Sequence, residues 1–307
     1  SDHIQHMQKA LTQMNVKLRS VITDITGVTG LAIIRAILDG ERDPRALASL
    51  RHEACHNDEA TIAKALEGTW REEHLFSLRQ AFELFQIYQE KIAACDAAIE
   101  AHMGGMDDRA GGATLKPTQR AKRRKNQPHF DLRGSLHRIT GVDLTRIEGL
   151  DALTVLKVIS EVGADMAPWP TRKNFTSWLG VSPGTTITGG KKLSSRTKSS
   201  SNRAAEALRL AAQSLHQSRS WLGAFLRRKA AQKDMPTAIT ATARKLAELI
   251  YTLLKRGTEY VTRTQEQYEL MHRQRMLAGM ARSARRFGYV LVPKDAAMLT
   301  PQPAPAQ

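Results

Sequence analysis

One stretch of the chain combines the residue types that hold a phosphate, and it runs from Val181 to Arg203. It contains Gly184, Gly189 and Gly190 together with many hydroxyl side chains. No acidic residue occurs from Met166 to Ala205. Glycine lets a backbone approach a ligand closely, and hydroxyl, amide and cationic groups contact phosphate oxygens. The seven basic residues of this window are Arg172, Lys173, Lys191, Lys192, Arg196, Lys198 and Arg203. The composition favours a nucleic-acid-binding loop over a solvated basic loop, and by itself says nothing about catalysis.

Charge is distributed unevenly along the 307 residues, which carry a net charge of +16. Residues 1–112 hold 12 basic and 17 acidic side chains, whereas the remainder holds 34 basic and 13 acidic ones. The second half is therefore the candidate polyanion-binding half, and the first half is expected to contact protein. Aromatic residues make up only 5% of a chain that is 41% hydrophobic, which favours an all-α fold packed by Leu, Ile and Ala.

The cysteines and acidic residues argue against several kinds of site. Cys55 and Cys95 are the two cysteines and form no CxxC pair, so neither a disulfide framework nor a zinc finger is expected. No apolar run approaches the about 18 residues of a membrane span, so no membrane contact and a cytoplasmic location are predicted. The acidic pairs Glu72–Glu73 and Asp107–Asp108 are interpreted as a solvated helix face and part of a linker, so no metal site is assigned.

Two heptad seams predict long helices in residues 1–103, separated by a small insert at 26–70. The first seam consists of Ile4, Met7, Leu11, Met14, Leu18, Val21 and Ile25. The second consists of Leu75, Leu78, Phe82, Phe85, Gln89, Ile92, Asp96, Ile99 and Met103. An intramolecular helical hairpin and an intermolecular coiled-coil stalk both fit these seams.

A weak internal repeat relates residues 25–40 to residues 147–163. Both begin with Ile-x-Gly and continue into an apolar helix that ends near glycine. The pattern is typical of a helix–hairpin–helix element, in which a glycine-containing turn offers backbone N–H groups to a phosphate. For Gly27 and Gly30 a simple tight turn is favoured, whereas for Gly149 the turn and the phosphate contact remain equal alternatives.

The remaining organisation follows from composition and periodicity. Residues 104–128 are interpreted as a linker whose basic end is a nucleic-acid arm, residues 129–262 as the domain around the glycine-rich stretch, and 263–307 as a helix with a disordered tail. Within the domain, one helix is expected over 202–232 and another over 237–260. Trp169 and Trp178 are expected in the core.

Several motifs in order resemble the IS one-ten family of insertion-sequence transposases, relatives of the Piv invertase. The main one is ITGGKKLSSRTKSSSNRAAEALRLAAQSL, and others lie upstream and downstream from Ile4 to about Val261. In that family a serine just before Gly-Gly-Lys is the proposed nucleophile. Thr188 stands at this position here, so the resemblance implies that Thr188 is the catalytic residue. It would be a working substitute, a natural decay or an engineered inactive form, since threonine is β-branched and stiffer.

The resemblance also implies roles for the residues around Thr188. Ser194 and Ser195 are fallback nucleophiles, although phosphate contact is preferred for both. Lys191 and Arg196 would clamp the scissile phosphate, and Asn202 would cap the next helix. The full set of predicted nucleic-acid-binding residues is Gly149, Gly189, Gly190, Lys191, Lys192, Ser194, Ser195, Arg196, Lys198, Asn202 and Arg203.

The partners implied by the resemblance are DNA, a structured bridge RNA and further copies of the chain, as a dimer or tetramer. A RuvC-like acidic domain that binds magnesium is expected N-terminal to the region seen here, and none of this sequence supplies its carboxylates. The sequence thus predicts the C-terminal part of a bacterial, nucleoid-associated transposase, inactive in isolation, with a strand-transfer domain at 129–262. The alternative is a non-catalytic DNA- or RNA-binding fragment.

Overall fold

The computed structural model describes residues 2–117, 127–194, 197–198, 200–257 and 265–293. These residues form thirteen α-helices, two short 3₁₀ turns and one two-stranded hairpin, which confirms the all-α class. The helices are α1 (Asp2–Gln13), α2 (Leu18–Val21), α3 (Val28–Leu38), α4 (Pro44–Ser49), α5 (Glu59–Ala65), α6 (Glu72–Gly104), α7 (Leu132–Thr140), α8 (Ala152–Val162), α9 (Arg172–Trp178), α10 (Arg203–Ser214), α11 (Trp221–Gln232), α12 (Met235–Arg256) and α13 (Gln265–Arg286).

The chain divides into two units, Ser1–Ile99 and Glu100–Gln307. In the first unit, α1 ends at Gln13, so the prediction of one long helix through Ile25 is wrong. Asn15 adopts a left-handed backbone with φ of 59°, which turns the chain. Two backbone hydrogen bonds hold the turn, from Thr69 N to Met14 O (2.8 Å) and from Lys17 N to Ala65 O (2.8 Å).

Most of the first seam is nevertheless buried, because the turn directs both of its halves into one core, and Ile4 and Val21 pack against that core while partly buried. Leu11 is 2% exposed and Leu18 is 1% exposed, on either side of the turn. The insert supplies much of the same core through α3, α4 and α5. The largest buried side chains of this unit are Met7, Met14, Leu18, Ile25, Ile33, Ile34, Ile37, Leu47, Ile62, Leu66 and Leu78. The first seam therefore packs within the unit.

The long helix α6 was correctly predicted, but its seam changes character along its length. Leu75, Leu78 and Phe82 are buried against the core of the first unit. Past Phe85, the helix surface is largely exposed, and Ile92 retains 48% of its accessible area. The second seam is thus buried at its start and exposed through its middle, and its last residue, Met103, is buried again at 4% exposure.

Gly30 explains the close packing at the start of α3. A Cβ on Gly30 would lie 2.2 Å from the carbonyl oxygen of Ile25, a distance that no side chain tolerates. Gly27 is the N-cap of the same helix and has an ordinary φ of −78°. The first half of the repeat is therefore a tight turn, as favoured from the sequence, and its glycine requirement comes from close approach of the backbone.

In the second unit, α10 occupies the centre and packs on α8 and α12. Its alanines allow these helices to approach closely, and Ala204, Ala205, Leu208 and Ala212 are fully buried. Helix α12 also packs on α9 and α11, and α11 packs on α13. Helix α12 ends at Gly257, whose left-handed conformation (φ 61°) is a common helix stop.

The helix expected over residues 202–232 is two helices, so that prediction is wrong. Helix α10 passes into a 3₁₀ turn at Leu215–Gln217, and Ser220 caps a new helix by accepting a hydrogen bond from Gly223 N (3.3 Å). A Cβ on Gly223 would lie 2.3 Å from Ser218 O. The Ser220 cap and the close approach of Gly223 to the Ser218 backbone therefore explain why the chain begins a new helix at α11.

The segment after α6 is tied to α7 by its backbone. Arg138 donates hydrogen bonds to the carbonyl groups of Met103 and Met106, and Arg109 N donates to Arg138 O at 2.8 Å. The basic residues at 118–126, predicted as a nucleic-acid arm, lie outside the described residues, as does the predicted tail at 294–307. Among the helices of the described ranges, none has the length and apolarity to span a membrane.

Candidate nucleic-acid and strand-transfer site

The glycine-rich stretch contains a short antiparallel hairpin, with β1 at Thr186–Thr188 and β2 at Lys191–Ser194. Gly189 and Gly190 form the two-residue connection, with φ of 55° and 75°. Two successive positive φ angles are the signature of the tight hairpin turns that follow the twist of the strands. A Cβ at either glycine would meet nothing within 4 Å, so the glycines serve the backbone conformation rather than packing.

Thr188 lies at the tip of this hairpin, directly opposite Lys191. Directly opposed residues of an antiparallel pair project from the same face, so the hydroxyl and the ammonium share one side of the ribbon. Both side chains are exposed, and Ile187 beside them is 63% exposed. The tip is therefore accessible to a macromolecular substrate.

The other predicted residues of the stretch lie in β2 or just after it. The backbone of Lys192 and Ser194 belongs to β2, and the register of the pair shifts between Thr186 and Ile187 of β1. Lys198 is exposed just beyond the isolated bridge that joins Pro183 to Thr197. Ser195 and Arg196 lie outside the described residues, so their predicted roles have no structural account.

The base of the hairpin is anchored to α9 and α10. Val181 is 1% exposed, and its N–H donates to Thr176 O at 3.1 Å. The Ser182 hydroxyl donates to Thr176 Oγ1 at 2.7 Å, and Arg209 of α10 donates to Gly180 O at 3.2 Å. A fixed base and an exposed tip make the hairpin a presenting element rather than part of the core.

The end of the stretch begins α10, and Asn202 is its N-cap as the sequence predicted. Asn202 Oδ1 accepts a hydrogen bond from Ala205 N at 3.0 Å. The side-chain oxygen is thereby occupied within the protein, which gives Asn202 a structural role. Arg203 follows as the first residue of the helix and is exposed.

Gly149 lies in the turn before α8, with φ of 88°. A Cβ there would meet Leu215 Cγ at 3.0 Å and Ala211 O at 3.1 Å. Both the backbone conformation and the close packing on the end of α10 therefore require glycine. The phosphate contact predicted for Gly149 stays a prediction.

An aromatic cluster supports the α9 end of the site. Phe175 is fully buried, and its ring centroid lies 5.1 Å from that of Trp169 and 5.7 Å from that of Tyr251. Trp178 joins the cluster at 5.0 Å from Trp169 but remains 46% exposed. The expectation of a core position is therefore wrong for Trp178, which is the last residue of the short helix α9.

Sequence reasoning missed a cleft of about 710 Å³ at the base of the hairpin. Val181, Pro183 and Thr197 line one side, and α11 and α12 line the other. Glu248 lies in it, and its carboxylate pairs with Arg244 (3.0 Å) and Lys245 (2.8 Å). The sequence signal for this ion-pair cluster was the position of Glu248, which follows Arg244 by four residues and Lys245 by three on one helix.

The carboxylates expected for magnesium chemistry have no counterpart in the part of the chain that the structure describes. No group of three or more His, Cys, Asp or Glu side chains there is placed to hold a metal ion. The described residues therefore do not fit a magnesium centre.

Part of the chain resembles a known protein family. Residues 143–227 match the model of the Transposase IS116/IS110/IS902 family. No curated protein and no solved structure matches significantly. The matched segment runs from the turn before Gly149, through the hairpin with Thr188 and Lys191, to α11. Residues 143–227 of the chain are therefore similar to the Transposase IS116/IS110/IS902 family.

Proposed function

We propose that this chain is the strand-transfer part of an insertion-sequence transposase that exchanges DNA strands through the Thr188 hydroxyl. The main support is the hairpin within the matched segment, which exposes Thr188 at its tip opposite Lys191. The surrounding stretch contains no acidic residue. A hydroxyl held on a rigid turn beside a cation is the arrangement that attack on a phosphodiester needs.

The proposed reaction is a transesterification. Thr188 Oγ1 attacks phosphorus, a new P–O bond joins DNA to the protein, and the bond to the leaving sugar oxygen breaks. The proton of the Thr188 hydroxyl goes to a base, and the leaving oxygen takes up a proton. A sugar hydroxyl of the new partner strand then attacks the phosphothreonine ester, which frees Thr188. Lys191 would neutralise the charge on the nonbridging oxygens during both attacks.

The proton acceptor is expected outside the hairpin. Within the described residues, no carboxylate or imidazole is hydrogen-bonded to the Thr188 hydroxyl. The proposal therefore requires the separate acidic, magnesium-binding domain that the resemblance implies, together with a structured guide RNA. The strong positive charge of the second half suits either nucleic acid.

Assembly as a dimer or tetramer is part of the same proposal, and α6 supports it. Leu84, Ile87, Tyr88 and Ile92 are 42–56% exposed, and their positions i, i+3, i+4 and i+8 place them on one face of the helix. A second copy of the chain would bury this face as a coiled coil.

The experiment is capture of a covalent protein–DNA adduct on a denaturing gel. The chain is combined with the acidic domain, structured RNA and a nicked suicide substrate. We expect an adduct with wild type, an equal or larger amount with Thr188→Ser, and none with Thr188→Ala. An adduct that survives Thr188→Ala but is lost with Ser194→Ala or Ser195→Ala would move the nucleophile. No adduct with any variant would favour a non-catalytic nucleic-acid-binding protein.

A further inference from the structure

Helices α11 and α13 pack together and form a surface dense in positive charge. Helix α11 carries Arg227, Arg228 and Lys229 and no acidic residue. In α13 the two acidic residues, Glu266 and Glu269, fall in its first five positions. The five arginines of α13 all follow them: Arg273, Arg275, Arg282, Arg285 and Arg286. We refer to the part of this surface built by Arg228, Lys229, Tyr268, His272 and Arg275 as the α11–α13 face.

Arg228 is held in place on this face by an aromatic ring. Its guanidinium carbon lies 4.8 Å from the centroid of the Tyr268 ring, and its Nη2 donates a hydrogen bond to the Tyr268 hydroxyl. Trp221 supports the ring from α11, with centroids 5.7 Å apart. A cation fixed in this way loses little conformational freedom when it binds an anion.

His272 lies against the same ring, with centroids 6.5 Å apart. Burial and the positive charges of Arg228, Arg275 and Lys229 lower the pKa of His272 below its ordinary value. Burial likewise lowers the pKa of Arg228, although the Glu269 carboxylate acts in the opposite direction. Cations from both helices thus repel one another on this face in the free protein, and an anion placed among them would relieve the repulsion.

We propose that the α11–α13 face is a nucleic-acid site in addition to the hairpin, and that it holds a phosphodiester backbone among Arg228, His272 and Arg275. Phosphate fits because it offers several acceptor oxygens to donors from two helices. Helix α13 lies outside residues 143–227, so the site extends nucleic-acid binding beyond the matched domain. The inference rests on the proposed function and specifies where a bound strand continues.

The test measures equilibrium binding of the full chain to two labelled probes, a duplex DNA and a hairpin RNA, over a range of salt concentrations. Arg228→Gln should weaken binding about tenfold and make the salt dependence shallower by about one counterion. Lys157→Gln is the matched control, since Lys157 is an exposed lysine of α8 and its substitution removes the same charge. The control should change affinity less than about twofold.

Two further variants keep the test decisive if Arg228→Gln disturbs the fold. Arg275→Gln removes an exposed cation of the same face and should weaken binding in the same direction. Wild type should bind more tightly at pH 6 than at pH 8, because a bound phosphate favours protonated His272, and His272→Gln should abolish this gain.

The two probes distinguish the source of the phosphate. A loss of affinity for the hairpin RNA alone assigns the face to RNA, and a loss of affinity for the duplex alone assigns it to DNA. Wild-type affinity and salt dependence in both Arg228→Gln and Arg275→Gln would overturn the inference and leave the face to a protein partner. That failure differs from failure of the proposed function, in which wild type binds the probes but forms no Thr188 adduct.

Discussion

Thr188 and Lys191 are directly opposed residues at the closed end of one hairpin, separated only by Gly189 and Gly190. Their spacing in the sequence is the spacing of a two-residue turn, so the glycine pair sets the distance between hydroxyl and cation. A longer connection would allow the two groups to move independently. The Gly-Gly-Lys pattern thus follows from the geometry of the turn and needs no contact with the rest of the fold.

The first prediction concerns this pair. Lys191→Ala should lower the rate of adduct formation by about 10- to 100-fold, because a charge-assisted contact to the phosphate is worth about 1.5–3 kcal/mol. Lys191→Arg should retain most of the rate. The measurement is single-turnover adduct formation, with Lys157→Ala as an exposed-lysine control. Equal loss in Lys191→Ala and Lys157→Ala would mean that only the overall charge matters.

The sequence predicted the helical class, the long α6 and the cap at Asn202, since each depends on local residue preferences. It did not reveal the turn at Asn15, because the residues before and after it fill the same core and so preserve the heptad spacing. It missed the cleft beside Glu248 because the lining comes from segments far apart in the chain.

The second prediction separates the buried first seam from the exposed face of α6. Leu11→Ala should destabilise the protein by about 2–5 kcal/mol, because Leu11 is 2% exposed and its loss leaves a cavity. The combined change Ile87→Lys and Ile92→Lys should leave the fold of each chain intact. It should lower the particle mass in solution from that of a dimer or tetramer toward that of a single chain. Thermal unfolding and light scattering measure the two effects. An unchanged mass would place the proposed assembly surface elsewhere.

The third prediction is a pH dependence at the start of α12. The backbone N–H and hydroxyl of Thr237 donate to the Asp234 carboxylate, which caps the helix, and these bonds lower the pKa of Asp234. A lowered folded pKa means that the stabilisation is complete above the unfolded pKa, about 3.9, and is lost as the pH falls through the folded value.

Thermal melts of three proteins test this cap. Asp234→Ala should lower Tm at neutral pH, because Thr237 N–H loses its acceptor. Asp234→Asn should stay close to wild type at neutral pH, since the amide oxygen still accepts the bond. The difference in Tm between wild type and Asp234→Ala should narrow below about pH 3.9. A constant difference down to pH 2 would show that the charge of Asp234 contributes nothing.

The fourth prediction decides between the two interpretations of Gly149. Gly149→Ala must adopt a positive φ and also push against Leu215, whereas Gly257→Ala adopts a positive φ in open space. The control should cost about 1–2 kcal/mol for the left-handed backbone alone, and Gly149→Ala should cost clearly more. Chemical denaturation measures both. If Gly149 also lends its N–H to a phosphate, the alanine variant should bind duplex DNA more weakly even under conditions where it is fully folded. Normal affinity in the folded variant, with the larger stability loss, would establish that Gly149 is needed for its backbone conformation and packing and not for a phosphate contact.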